Sequence, residues 1–154
     1  MKKGFFLIVI LVSCFALFSG CIKTAPVVTT INPNMSAHIG SYNFIAYKTV
    51  PSSITAQHSD TGTTLVITGY TSDQVSPRDR IVLTVHKYNG ITNTYSMVRG
   101  EAFATYYHGN AVSYSLGGIV SIQNVTTTNI SGYFSFTTQD GLSVSDGVFN
   151  VGLP

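Results

Sequence analysis

From Met35 to Val151, apolar and polar residues alternate with a period of two, in short runs rich in Thr, Val, Ile, Tyr and Phe. Successive side chains of a strand point to opposite faces, so this alternation predicts half-buried β-strands, and β-branched and aromatic residues favour the same conformation. The predicted runs are 35–39, 42–50, 54–58, 63–70, 81–88, 94–98, 102–107, 112–116, 119–125, 130–138 and 142–151. Turn residues punctuate them: Gly40-Ser41, residues 59–62, Asn89-Gly90, residues 108–110, Gly117-Gly118 and Asp140-Gly141. Glycine accepts positive φ at little cost, so each pair reads as hairpin punctuation, and the runs flanking Gly40-Ser41 should pair antiparallel.

The alternation also assigns faces. Ile81, Leu83 and Val85, with Lys87, should share one face, and Val82, Thr84, His86 and Tyr88 the other. Ile119, Ser121 and Gln123 oppose Val120, Ile122 and Asn124 in the same way. Phe134 and Phe136 fall on one face with Gly132, and Phe149 and Val151 can lie across from them, which predicts an aromatic cross-strand cluster with Gly147 at a bulge or close backbone approach. No window of a dozen residues carries a 3.6-residue period. The expected fold is therefore all-β, an antiparallel meander of about ten short strands closing as a sandwich or a flattened barrel.

The N-terminus follows a different pattern. Lys2 and Lys3 precede an uncharged apolar run from Phe5 to Phe18, which ends on Ser19 and Gly20 before Cys21. This is the layout of a secretory signal peptide. The apolar run would span about 21 Å as a helix at ~1.5 Å per residue, short of a hydrocarbon core of roughly 30 Å. Leu17-Phe18-Ser19-Gly20-Cys21 resembles the lipobox of bacterial lipoproteins, with Phe18 where that motif usually has Leu, and the resemblance implies cleavage after Gly20 and lipidation of Cys21. The expected organisation is a signal peptide over 1–20, a lipidated extended tether over 21–34, and a single β-domain over 35–154. The competing reading of the tether places a first strand over 27–31.

A second resemblance covers most of residues 35–151. The stretches 118–122, 130–136 and 140–151, with Gly132, Phe134, Phe136, Val144, Gly147, Phe149 and Val151, are similar to the C-terminal signature of a family of small Bacteroidetes lipoproteins, and the opening Met35-Ser-Ala-His-Ile-Gly is similar to the start of that family's domain. The resemblance implies an all-β fold and an envelope location, and it brings no catalytic residues.

Composition narrows the chemistry. Cys14 lies in the segment to be removed and Cys21 is the only other cysteine, so the mature domain has no disulfide and no thiol chemistry. The whole chain carries 8 Lys+Arg and 6 Asp+Glu, and removal of Lys2 and Lys3 leaves a formal charge of zero. That is no nucleic-acid footprint. GxSxG, P-loop, HExxH, CxxC and EF-hand patterns are all missing from the sequence. No cofactor is implied and an enzyme is not expected.

Four features remain as candidate chemistry. His38 and His86 with Glu101 would make a metal site if the sheet brought them together. Glu101 is the one Glu, and a carboxylate hydrolase would have to centre on it, because Asp60, Asp140 and Asp146 neighbour glycines in turn-like contexts. Arg78, Asp79 and Arg80 charge the longest predicted loop. All nine tyrosines are in the mature part, and Tyr106, Tyr107 and Tyr114 around one hairpin are expected to form an exposed aromatic platform for a glycan or protein partner. The functional expectation is a membrane-anchored, non-enzymatic binding or interaction module of the cell envelope, with glycan binding through the Tyr-rich hairpin as the alternative and a carboxylate hydrolase after that. Because no acidic cluster follows Cys21, the outer membrane facing the periplasm is favoured over the cell surface.

Overall fold

The computed structural model describes residues 34–46, 54–58, 63–71 and 79–153. These fall within the compact unit Asn32–Pro154. The expected signal peptide, Cys21, the expected tether up to residue 33, the turn expected at 59–62 and Arg78 lie outside the described residues. Among the described residues there is no helix. Ten strands occur: β1 (Met35–Ile39), β2 (Tyr42–Ala46), β3 (Ile54–His58), β4 (Thr64–Tyr70), β5 (Arg80–His86), β6 (Asn93–Ser96), β7 (Ala102–His108), β8 (Ala111–Val125), β9 (Asn129–Thr138) and β10 (Ser143–Gly152).

All pairings are antiparallel, and nine strands follow one path in the order β2-β1-β10-β9-β8-β7-β5-β4-β3, with β6 added on β8. The sheet curls into a half-barrel, so that β10 approaches β3 and β2 approaches β4 across the interior. Gly69 in β4 permits a further approach, to β1, because a Cβ there would stand 2.5 Å from Met35 Sδ. The fold is the expected all-β antiparallel one, and its curvature places it between the two closures considered.

The period-two alternation assigned most faces correctly. Ile81, Leu83 and Val85 are fully buried, Val82 and Thr84 are half-buried, and His86 is exposed. Tyr88 departs from its expected face and is buried, because Lys87 takes a left-handed φ of 54° and redirects the chain. Phe134, Phe136 and Phe149 form the predicted cluster, with ring centroids 6.3 Å and 6.5 Å from Phe134. Gly132 faces Phe149 in register, and Gly147 lies at a register shift where a Cβ would meet Phe134 O at 2.5 Å.

Two turns behave differently from their sequence reading. Gly117-Gly118 is no hairpin: residues 111–125 form one continuous strand whose first part pairs with β7 and whose second part pairs with β9 and β6. Gly118 has φ 142°, and a Cβ on it would strike the backbone of Ser135 and Phe136, so the pair serves a bend and a close approach. Asn89-Gly90 does not join paired neighbours either, since β5 pairs with β7 and β6 with β8. The chain passes from one wing of the sheet to the other there. By contrast, Gly40, Gly109 and Gly141 have φ of 59°, 59° and 86° in the hairpins β1-β2, β7-β8 and β9-β10.

β6 and β7 together act as one long partner of β8, interrupted by a turn at 97–100. As β8 advances, its partners run from His108 to Thr105 and then from Ser96 to Asn93. The turn is closed by Gly100 N–H donating to Met97 O (3.0 Å) and Glu101 N–H donating to Ser96 O (3.0 Å). Where β8 leaves β7, the Ser115 hydroxyl accepts from the Ala104 N–H at 2.9 Å, so the buried amide keeps a partner.

Candidate functional site

The hairpin of β7 and β8 separates the three tyrosines expected to form one platform. Adjacent residues of a strand face opposite ways, so Tyr106 and Tyr107 cannot share a face. Tyr106 points inward and is only 4% exposed, which removes it from any external platform. Tyr107 points outward and is half-buried beneath Arg80, whose guanidinium carbon stands 3.6 Å from its ring centroid. Tyr70 of β4 flanks the same guanidinium at 5.8 Å, so the cation is held along a cross-strand row of Tyr70, Arg80 and Tyr107.

Tyr114 is 47% exposed, and its neighbour is Phe103 of β7, a residue not singled out from sequence. Their centroids are 6.0 Å apart with planes inclined by 33°. Val112 and Leu116 extend the same outward face, with Leu116 68% exposed, and Val98 in the 97–100 turn stands beside Gly117. The outward positions of β4, β5, β7 and the first part of β8 include no Asp or Glu. Phe103 stands apart from the tyrosines that mark the hairpin in the sequence, and its signal there is the alternation of Phe103, Thr105 and Tyr107 onto one face.

The inward side of the same hairpin gathers polar groups at one rim of the half-barrel. The register sets Arg80 opposite Tyr107, so the next pair outward is Asp79 and His108, and Tyr106 is the inward neighbour of His108 two residues back. His108 Nδ1 lies 3.0 Å from Asp79 Oδ2, and the Tyr106 hydroxyl lies 3.5 Å from that oxygen and 3.3 Å from His108 Nδ1. The Gly109 N–H donates to Asp79 Oδ1 at 3.3 Å, fixing the carboxylate plane. Burial and the Asp79 carboxylate push the Tyr106 phenol well above its ordinary pKa. Asp79, read from sequence as part of a solvated loop cluster, is thus a rim residue only 14% exposed at its side chain.

The other candidates are dispersed. His38 lies on β1 with Nδ1 3.7 Å from Asp146 Oδ2, and His86 lies at the end of β5, its N–H donating to Glu101 O. Among the described residues no three His, Cys, Asp or Glu side chains gather in a way that would hold a metal ion. The Glu101 carboxylate accepts from the Ser96 N–H at 2.9 Å and from Arg99 at 3.0 Å. The Ser96 N–H first, then Arg99 and Lys87, hold its pKa below the usual carboxylate range, which suits a structural anion better than a general acid. Asp140 accepts from the Ser113 hydroxyl at 2.7 Å, and hydrogen bonds from Thr138 and Ser113 hold its carboxyl low, in keeping with turn chemistry. Asp146, at φ 52°, occupies the β10 irregularity beside Gly147.

No protein-family model, no curated protein and no solved structure matches the chain.

Proposed function

We propose that the chain is a lipid-anchored protein of the cell envelope whose β-domain works as a non-enzymatic binding module, with the outward face of β7 and β8 as its binding surface. The observation that carries the reading is the adjacency of Phe103, Tyr114, Val112 and Leu116 on one exposed face free of acidic side chains. A face of this kind loses ordered water readily when a partner covers it. Glu101 and Asp140 are both committed to local hydrogen bonds, which favours binding over hydrolysis.

The Phe103–Tyr114 pair favours a glycan as the ligand, because two rings side by side on a β-sheet present a broad apolar surface suited to the C–H face of a sugar. A glycan array with the mature lipoprotein in detergent should show binding that Phe103→Ala and Tyr114→Ala each abolish, while Tyr106→Phe keeps it. An array without binding removes the glycan reading. For the anchor, the sequence Leu17 to Cys21 is the support, and attachment is through the lipid on Cys21. Cys21→Ser protein should leave the membrane fraction as a soluble β-domain; retention in the membrane would overturn lipid anchoring. The outer membrane, periplasmic side, is the proposed location, and protease accessibility on intact cells tests the side.

A further inference from the structure

We propose that Asp79, Tyr106 and His108 form a binding site for a divalent metal ion of the Zn2+ class at the rim of the half-barrel. The three donor atoms, Asp79 Oδ2, the Tyr106 hydroxyl oxygen and His108 Nδ1, are the corners of a triangle with edges of 3.0, 3.3 and 3.5 Å. A tetrahedral Zn2+ with N and O ligands at about 2.0–2.1 Å holds them about 3.3 Å from one another. The triangle therefore already has the size of one face of that coordination polyhedron.

Asp79 Oδ2 is the shared acceptor of the triangle. At most two protons are available for its three edges, one on the Tyr106 oxygen and one on His108 Nδ1. Both can be donated to Asp79 Oδ2, so the Tyr106–His108 edge joins two groups that share one acceptor, whereas a cation capping the triangle takes the place of those protons and meets a lone pair of each atom at once. Tyr106 is a buried residue whose hydroxyl is aimed at this point, and the Gly109 N–H takes up Asp79 Oδ1, leaving Oδ2 for the ion. Such support by a neighbouring donor is the usual means of orienting a ligating carboxylate.

Binding balances in charge. The ion displaces the phenol proton of Tyr106 to solvent, the imidazole of His108 carries its single proton on Nε2 so that Nδ1 offers a lone pair, and a divalent cation then meets one carboxylate, one phenolate and a neutral imidazole. His108 is exposed at the side of the site, so the ion has an entry path and its fourth position is open to water. The ligands come from the start of β5 and the end of β7, held in register by the ladder from Arg80↔Tyr107 to Val85↔Ala102.

The test is isothermal titration of the mature lipoprotein in detergent with Zn2+ alone, alongside ultraviolet difference spectra. One Zn2+ per chain is expected, with a tyrosinate difference band growing to the same stoichiometry. Loss of an outer-shell partner alone lowers metal affinity roughly 10–100-fold, so Asp79→Asn and His108→Gln should each weaken binding by more than about tenfold. Tyr106→Phe preserves the packing and should remove the tyrosinate band, and His38→Gln with His86→Gln should leave binding unchanged. His108 is exposed, so His108→Gln is expected to fold and keeps the test decisive even where a buried variant does not. Absence of saturable binding, undiminished binding in His108→Gln, or a tyrosinate band surviving in Tyr106→Phe would each overturn the proposal.

Discussion

Alanine at Gly118 tests the bend of β8, and alanine at Gly90 supplies its internal reference. Both glycines have φ in the range that L side chains rarely adopt, 142° and 81°. At Gly90 a Cβ meets nothing within 4 Å, so Gly90→Ala carries only the conformational penalty, about 1–2 kcal/mol. At Gly118 the Cβ would collide with Ser135 O and the Phe136 Cα, both backbone atoms of the adjoining strand. No rotamer change relieves a backbone collision, so β9 must shift. A residue forced into such a φ costs about 1–3 kcal/mol, and overpacking adds about 1–3 kcal/mol, for a total of about 2–6 kcal/mol.

Equilibrium urea unfolding followed by far-UV circular dichroism reads the difference, a suitable probe because the chain has no Trp. With a slope of about 2 kcal/mol per molar urea, the Gly118→Ala midpoint should fall by about 1–3 M and the Gly90→Ala midpoint by only about 0.5–1 M. Equal midpoints for the two variants would refute the reasoning, because they would show that residue 118 has space around it and that β8 does not pass through the 117–118 corner against β9.

Two further outcomes follow from the core and from the 97–100 turn. Phe134 is 1% exposed, and it lies at the centre of the aromatic cluster with Phe136 and Phe149, so Phe134→Ala should lose about 3–5 kcal/mol in the same urea assay, a large part of a typical domain's stability. Because Glu101 has its pKa lowered in the folded state, its hydrogen bonds contribute stability that is present above the ordinary Glu range and lost as pH falls through the lowered value. The urea midpoint of the native protein should therefore fall on acidification through that range, and Glu101→Gln should flatten the dependence; parallel curves for the two proteins would refute it.

The parts of the fold that were readable in the sequence are those decided by alternation over a single strand. Ile81, Leu83 and Val85 inward, Val82 and Thr84 outward, and Phe134 with Phe136 on one face all follow from a period of two without knowledge of any partner. Apart from Tyr88, which the left-handed Lys87 redirects, the misreadings occur where a glycine's reason is non-local. Gly40-Ser41 and Gly117-Gly118 are alike as dipeptides, yet one supplies a tight turn and the other makes room for Ser135 and Phe136, residues of a different strand. Only the pairing distinguishes them.

The candidate site shows the same boundary between local and paired information. That Tyr106 and Tyr107 face opposite ways is contained in their adjacency, and it alone dismantles a platform built from both. That Asp79 meets Tyr106 and His108 requires the register of β5 on β7, Arg80 against Tyr107, across a separation of 27 residues. In the chain, Asp79 sits between two arginines and reads as a solvated charge. In the sheet, Arg80 turns outward onto Tyr107 while Asp79 turns inward to the rim, so one alternation divides the cluster between two surfaces with different chemistry. The outward surface is apolar and aromatic, suited to a partner's face; the inward rim holds three convergent donors, suited to an ion. Both are set by the same ladder, so a one-residue slip of β5 on β7 would exchange the two faces and destroy both at once.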